Sequence, residues 1–190
     1  MIQTETPKER QQEICVDGQV DFVTGTLPNP NFEKKLGYVA NRIHNAIRPV
    51  VFTKDKHYSN YMETLEGKNL PVPHCIVGTP GFEIVNELLN ACIKTPIIVE
   101  KETFGYTDWK EIFGLAEDID EFVIYGTVNP ICPFAQAVIL RACYPNKKIT
   151  MDFAGCGFMA DENGDETKCR EAVKYILKMQ QIDVINEEDK

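Results

Sequence analysis

The chain has 190 residues, of which 43% are hydrophobic and 26% are charged, and its formal net charge is -9. This balance is typical of a globular protein, and the length predicts a single domain over residues 1–190. The acidic charge argues against binding to nucleic acid or to an anionic membrane surface, where clustered lysines and arginines are expected.

From the sequence we expect neither a membrane span nor a signal peptide. No apolar run approaches the roughly 20 residues that cross a bilayer. Residues 1–13 are polar and of mixed charge, without the apolar centre of a signal peptide. We therefore expect a cytoplasmic protein that does not enter a membrane, with flexible ends at residues 1–13 and 186–190.

Apolar runs typical of strands alternate along the chain with segments that have helical periodicity. The predicted strands are residues 14–16, 49–53, 96–99, 121–125, 148–153 and 182–185. The predicted helices are residues 32–46, 82–92, 109–116, 133–143 and 169–177. This alternation predicts an α/β protein, a three-layer α/β/α sandwich around a six-stranded, mostly parallel sheet. Ligands of such sheets bind beyond the carboxyl ends of the strands.

Two charged residues fall at such strand ends. Asp17 directly follows the first predicted strand, and Lys101 follows the third. Both positions suit a ligand-binding edge. The alternatives are a turn residue before Gly18 for the aspartate and a solvated surface residue for the lysine.

The seven cysteines indicate neither a disulfide framework nor a cysteine-rich zinc module, because their number is odd and their spacing irregular. Cys132 differs from the others because it lies between a predicted strand and a predicted helix. A helix N-terminus lowers the pKa of a thiol, and its free N–H groups stabilise an oxyanion. Cys132 is therefore a candidate nucleophile, with a structural cysteine as the alternative.

The segment 54–80 interrupts the alternation because it has no apolar periodicity, and a loop of this length is usually functional. It contains Asp55, His57, Glu66 and His74. Asp55 and His57 lie on one face of an extended chain, and His74 adds a second imidazole. Carboxylates and imidazoles suit zinc, iron or manganese. The alternative is a pair of ordinary loop histidines.

Four segments in chain order resemble the nicotinamidase/isochorismatase-like cysteine hydrolases. Residues 14–22 are similar to an opening motif of hydrophobic residues followed by Asp–x–Gln–Asn–Asp–Phe, and residues 73–81 to Pro–x–His–Cys–Val–x–Gly–Thr–x–Gly. Residues 100–104 match the lysine segment, and residues 126–132 match the glycine-led segment that ends in the nucleophile. The resemblance extends from about residue 14 to residue 185.

The resemblance implies a set of site residues. It implies that Asp17, Lys101 and Cys132 form the catalytic triad. It implies one divalent metal ion, zinc with iron or manganese as alternatives, held as in the nicotinamidase branch. The implied ligands are Asp55, His57, His74 and a carboxylate, Glu66 with Glu63 as the alternative. For the substrate pocket we expect Phe22, Val128 and Tyr106, with Trp109 as an alternative ring wall.

The activity that the resemblance implies is hydrolysis of nicotinamide to nicotinate and ammonia through a Cys132 thioester. The resemblance implies that the protein binds a small-molecule amide as its substrate. Homo-oligomers are common in the family. Asn129, Pro130 and Pro133 depart from the family pattern around the nucleophile. Two alternatives therefore stay open: a related cysteine amidohydrolase that acts on another small amide or carbamoyl compound, and a non-catalytic α/β binding protein.

Overall fold

Six parallel strands form one sheet in the computed structural model, which describes residues 6–187. The strands are β1 (Gln11–Val16), β2 (Val51–Asp55), β3 (Ile97–Lys101), β4 (Glu121–Asn129), β5 (Lys148–Phe158) and β6 (Asp183–Ile185). Their order across the sheet is β3-β2-β1-β4-β5-β6, and each neighbouring pair is parallel. The predicted fold class is confirmed.

Eight α-helices accompany the sheet within the described residues. They are α1 (Val20–Val23), α2 (Pro30–Glu33), α3 (Leu36–His44), α4 (Leu65–Asn69), α5 (Asn86–Asn90), α6 (Trp109–Phe113), α7 (Cys132–Cys143) and α8 (Thr167–Met179). The helix predicted at 32–46 is divided between α2 and α3, and the one predicted at 82–92 shortens to α5. None of these helices has the length and apolar character that crossing a bilayer requires.

Both faces of the central strands are covered. Consecutive residues of β1, β2, β4 and β5 are buried, and consecutive side chains of a strand point to opposite faces. The edge strand β3 is more exposed, with only Val99 and Lys101 buried. The middle layer is therefore a two-sided core, as expected of a parallel sheet between helices.

The expectation of flexible ends is partly wrong. Residues 11–13 belong to β1 and pair with β4, because the strand begins three residues earlier than its apolar run. At the other end, Asn186 Nδ2 donates hydrogen bonds to Tyr38 Oη and to Asp152 Oδ1, at 3.0 and 3.1 Å. Residues 1–5 and 188–190 of the predicted flexible ends lie outside the described part of the chain.

The strand order also fixes where a ligand site is expected. From β1 the chain moves outward to β2 and β3, and it then returns to β4 on the other side of β1. The order of the strands therefore reverses between β1 and β4. Ligands of open parallel sheets bind at such a switch point, beyond the carboxyl ends of the strands.

Candidate active site and metal centre

Asp17 begins the site at the end of β1. The strand ends at Val16, and Asp17 takes a left-handed backbone conformation with φ 52° that turns the chain away from the sheet. Its side chain is fully buried and accepts a 2.6 Å hydrogen bond from Thr53 Oγ1 of β2. Burial raises the pKa of Asp17 more than the Lys101 ammonium lowers it. A buried carboxylate with a raised pKa is suited to act as a base.

Lys101 brings a buried ammonium to the same place from the end of β3. Lys101 Nζ lies 2.8 Å from Asp17 Oδ2, 3.1 Å from Asp55 Oδ1 and 3.7 Å from Cys132 Sγ. Burial alone would lower the pKa of Lys101, but the charges of Asp17, Cys132 and Asp55 outweigh it and raise that pKa well above its usual range. The lysine is therefore a fixed cation between the thiol and two carboxylates.

Cys132 is the first residue of α7, and it is only 6% exposed. Its N–H is one of the first four of the helix, which have no acceptor within the helix. Such N–H groups suit a developing oxyanion. The site therefore combines a buried thiol, a carboxylate base, a cation and free backbone donors.

The expected lowering of the Cys132 pKa is wrong. Burial raises the pKa of this thiol well above its usual range, the nearby Lys101 ammonium lowers it less, and the Asp17 and Asp55 carboxylates raise it again. The helix N-terminus and the lysine favour the thiolate, but the enclosed pocket and two negative charges favour the thiol. The surroundings of Cys132 therefore favour its protonated form, with the Asp17 carboxylate nearby.

The second cluster brings together the four predicted metal ligands. One ligand atom from each of Asp55, His57, Glu66 and His74 lies within 4.8 Å of the others. Asp55 Oδ2 is 3.0 Å from His57 Nε2 and 3.3 Å from His74 Nε2. Glu66 Oε1 is 3.6 and 3.7 Å from the same two nitrogens. Two imidazoles and two carboxylates converging on one point fit a divalent metal ion that prefers mixed nitrogen and oxygen ligands.

The hydrogen bonds around this cluster favour ligation. His74 Nδ1 lies 2.8 Å from the Val72 carbonyl oxygen, which places the ring proton on Nδ1 and leaves Nε2 free for a metal. Glu66, in α4, belongs to the cluster, whereas Glu63 is exposed and is not part of it. Of the two carboxylates considered from the sequence, the structure brings Glu66 to the histidines.

Asp55 joins the two clusters. Its Oδ1 contacts the Lys101 ammonium and its Oδ2 contacts the two histidines. Burial raises the pKa of Asp55, but Lys101, His57 and His74 outweigh burial and hold that pKa well below its usual range. The candidate nucleophile and the candidate metal centre are therefore parts of one continuous site.

A cavity of about 410 Å³ opens onto both clusters. Asp55, Glu66, His74 and Cys132 form part of its wall. Most of the remaining wall is apolar and comes from the segment after α1, the end of β5 and the residues around α7. A mainly apolar cavity with a few convergent polar groups is typical of a small-molecule site.

Two of the three predicted pocket residues line the cavity, and the third does not. Phe22 and Val128 line the cavity, and the Phe22 ring lies edge-on to His74 with 5.5 Å between ring centroids. Tyr106 is not among the lining residues, because its ring packs edge-on against the fully buried Trp109, 5.2 Å between centroids. Phe104 of the same segment lines the cavity instead. Residues 104 and 106 are two positions apart, so they share one face of an extended segment. The sequence alone therefore does not indicate which of the two rings lines the cavity.

Comparison with known proteins supports the fold. No protein-family model and no curated protein sequence matches the chain. Its structure is similar to that of a yeast nicotinamidase bound to the inhibitor nicotinaldehyde, with a TM-score of 0.76 at 21% identity over 95% of this chain and 100% of the other. It is also similar to a pyrazinamidase of Pyrococcus horikoshii in complex with zinc, with a TM-score of 0.74 at 23% identity, covering 93% and 98% of the two chains.

An N-carbamoylsarcosine amidase from Thermoplasma acidophilum is similar as well, with a TM-score of 0.72 at 21% identity over 95% of this chain and 98% of that one. Likeness at these identities establishes a shared fold. The chemistry of this chain depends on its own residues.

Proposed function

We propose that this protein is a cysteine amidohydrolase of the nicotinamidase type, which hydrolyses nicotinamide to nicotinate and ammonia. The observation that carries the proposal is that Asp17 and Cys132 both lie within 3.7 Å of the Lys101 nitrogen, with Cys132 in the wall of the cavity. A nicotinamidase and a pyrazinamidase with the same fold support this class of substrate.

In the proposed reaction the Cys132 thiol loses its proton to Asp17 as the sulfur attacks the amide carbon. The raised pKa of both groups fits a transfer that accompanies attack. The Lys101 ammonium stabilises the negative charge that moves between sulfur and carboxylate. The N–H of Cys132, with that of Val128, holds the oxyanion, and one such donor is typically worth about 3–4 kcal/mol of barrier.

The second half of the reaction uses the same carboxylate. Asp17 returns its proton to the departing amide nitrogen, so that ammonia leaves and an acyl thioester with Cys132 remains. Asp17 then takes a proton from water, whose oxygen attacks the thioester carbon, and the thiol is restored as nicotinate forms. The overall reaction converts one amide and one water molecule into one carboxylic acid and one ammonia.

Asp55, His57, Glu66 and His74 would hold a divalent metal ion in this proposal, zinc before iron or manganese. When bound, such an ion supplies a coordination position for a ring nitrogen of the substrate. The four side chains thereby orient the ring so that its amide faces Cys132, which is a contribution of geometry.

The experiment measures ammonia release from nicotinamide by the wild-type protein, Cys132→Ala and Cys143→Ala. The two cysteines are the first and last residues of α7, so the control removes a thiol from the same helix outside the cavity. We expect the wild type and Cys143→Ala to release ammonia and Cys132→Ala to be inactive with an unchanged circular dichroism spectrum. Full activity of Cys132→Ala would refute the proposed nucleophile.

The size of the cavity favours one second candidate, a related amidohydrolase for a larger amide or carbamoyl compound. About 410 Å³ lies in the range of pockets for drug-sized ligands, whereas nicotinamide is a single small ring. Ammonia release that depends on Cys132 from a larger amide, with none from nicotinamide, would favour this candidate. No release from any amide would favour a non-catalytic binding protein.

A further inference from the structure

Gln19 is a buried polar residue that the proposed reaction does not use. It lies two residues after Asp17, just before α1, and none of its surface is exposed. Its amide nitrogen donates hydrogen bonds to the carbonyl oxygens of Asp55 and Phe82, both at 2.9 Å. Its amide oxygen accepts a 2.7 Å hydrogen bond from Asp55 N–H. Both donors of the amide, and its oxygen, are therefore occupied by backbone groups.

These hydrogen bonds substitute for a strand that has ended. The β1–β2 pairing stops at Val16 opposite Thr53, and the chain turns away at Asp17. Asp55, two residues further along β2, is still paired with Lys101 of β3 on its other side. The Gln19 amide binds both the N–H and the C=O of Asp55 where a backbone neighbour from β1 is no longer present.

The two residues that Gln19 binds are the two ends of the metal loop, which we define as residues 55–82. Asp55 is the first residue of this loop and a candidate ligand itself, and the other three candidate ligands lie between it and Phe82. The Gln19 amide therefore bridges the points where the loop leaves the sheet and returns. Backbone hydrogen bonds from Val20 N to Glu83 O and from Val85 N to Gly18 O, at 2.8 and 3.0 Å, also hold the chain just after the return point.

Asp21 adds a contact at the middle of the same loop. Its Oδ2 accepts a 2.7 Å hydrogen bond from Cys75 N–H, next to His74. A Cβ on Gly81 would lie 2.1 Å from that oxygen, so the loop approaches Asp21 closely only because residue 81 is a glycine. Cys75 O in turn accepts a 3.0 Å hydrogen bond from His57 N. The segment 19–21 thus contacts the start, the middle and the end of the metal loop.

We propose that Gln19 is a positioning residue that holds the metal loop so that Asp55, His57, Glu66 and His74 converge on one ion. The inference rests on the proposed function only for the presence of that ion. Groups that orient metal ligands without touching the metal typically change metal affinity by about 10–100-fold when they are removed. We expect an effect of that size from removing the Gln19 amide.

The chain contains a closely matched control. Gln12 of β1 is 2% exposed, and its amide nitrogen also donates to two carbonyl oxygens, those of Glu13 at 3.1 Å and Pro49 at 2.9 Å. Its amide oxygen accepts a 3.2 Å hydrogen bond from Arg48. Gln12 lies near the opposite end of the same strand, away from the metal loop. Gln19→Met and Gln12→Met therefore remove equivalent hydrogen bonds at different ends of the sheet.

The experiment measures Zn²⁺ affinity by competition with a chromogenic chelator, and the visible absorption of the Co²⁺-loaded proteins, without substrate. We expect Gln19→Met to bind Zn²⁺ about 10–100-fold more weakly than the wild type and to alter the Co²⁺ bands. Gln12→Met should keep the wild-type affinity and bands although its melting temperature also falls. Gln19→Glu, which keeps the acceptor for Asp55 N–H but loses both donations, should also bind Zn²⁺ more weakly.

Equal Zn²⁺ affinity of Gln19→Met and Gln12→Met would overturn the proposal, and so would a wild-type protein that binds no Zn²⁺. Misfolding of both Gln19 variants beside a folded Gln12→Met would also overturn it, because the amide would then be required by the whole fold. A wild-type protein that binds Zn²⁺ but releases no ammonia from nicotinamide would refute the proposed function and leave this test intact.

Discussion

Replacing Lys101 with methionine removes an ammonium that lies between two buried carboxylates, those of Asp17 and Asp55. Lys101 Nζ is 2.8 Å from Asp17 Oδ2 and 3.1 Å from Asp55 Oδ1, and its side chain is 1% exposed. Removing one partner of a buried ion pair costs about 3–5 kcal/mol, because the other charge stays buried and unpaired. We expect the free energy of unfolding at neutral pH to fall by about that amount, and amide hydrolysis to be lost.

Lys54→Met provides the matched control on the neighbouring strand. Lys54 is also buried, but its partner Glu83 is 62% exposed and the two atoms are 3.3 Å apart. An ion pair with an exposed partner is worth about 0–1 kcal/mol, since the freed carboxylate is solvated. Methionine keeps the aliphatic packing in both variants. Lys54→Met also removes a cation–π contact in which Lys54 Nζ lies 3.5 Å from the Phe82 ring centroid, so the difference between the variants is a lower bound on the effect of the buried charge.

The pH dependence supplies a second signature. Because the folded pKa of Asp55 is lowered, its stabilising contribution is present above the unfolded value of about 3.9 and is lost as the pH falls. Without Lys101 only His57 and His74 offset the burial of Asp55, and the burial of Asp17 loses its largest opposing charge. Protonation of these two carboxylates should therefore stabilise the variant. The deficit of Lys101→Met should therefore be largest near neutral pH and shrink towards about pH 4.

The assay is urea unfolding of the wild type and both variants in the presence of a chelator, at neutral pH and at mildly acidic pH. The reasoning would be refuted if Lys101→Met lost no more stability than Lys54→Met. A deficit of the same size at both pH values would also contradict it, because the loss would then come from packing and not from charge.

Three further variants test the candidate metal ligands and the cavity wall. Glu66→Gln should weaken Zn²⁺ binding by at least about 10-fold, and Glu63→Gln should leave it unchanged, because Glu66 and not Glu63 lies with the histidines. Equal Zn²⁺ affinities of the two variants would exclude Glu66 as a ligand. The His74→Asn protein should contain less zinc, measured by elemental analysis, than the His44→Asn protein. The control alters an exposed histidine of α3. Equal zinc contents would contradict the proposal that His74 is a metal ligand. Phe104→Ala should raise KM more than it lowers kcat, because Phe104 lines the cavity and is 45% exposed; an unchanged KM would remove it from the substrate pocket.

The sequence was sufficient to predict the sheet and the edge at which the site lies. Strand and helix signals alternate clearly, and parallel strands with crossover helices have few possible arrangements. Asp17 follows β1, Lys101 is the last residue of β3, and Cys132 begins α7. Their approach to one edge of the sheet follows from this topology. Their catalytic roles remain predictions that the proposed variants test.

The hydrogen bonds that support the site could not be predicted in the same way. Thr53 looks like an ordinary strand residue, and its hydroxyl contact with Asp17 depends on the register of two strands. Gln19 gave a signal only through the motif that contains it, because its partners are 36 and 63 residues away. Local patterns do not specify contacts between such distant residues.

The pKa of Cys132 was mispredicted for a related reason. A helix N-terminus is a local feature that sequence reveals, and by itself it favours a thiolate. Burial and the two carboxylates are long-range features, and they outweigh the local effect. The direction of a pKa shift at a buried residue depends on which groups the fold brings close to it. For Cys132 these groups are Lys101, Asp17 and Asp55, all of which are distant in the sequence.

Asp55 connects the candidate nucleophile to the candidate metal centre through Lys101. One of its oxygens contacts the Lys101 ammonium and the other contacts His57 and His74, so a rotation of this carboxylate that improves one set of contacts lengthens the other. Because Gln19 binds both backbone groups of Asp55, the position from which the carboxylate extends is fixed. A ligand held at the metal loop would therefore lie near the Lys101 ammonium, which contacts both Asp55 and the Cys132 thiol.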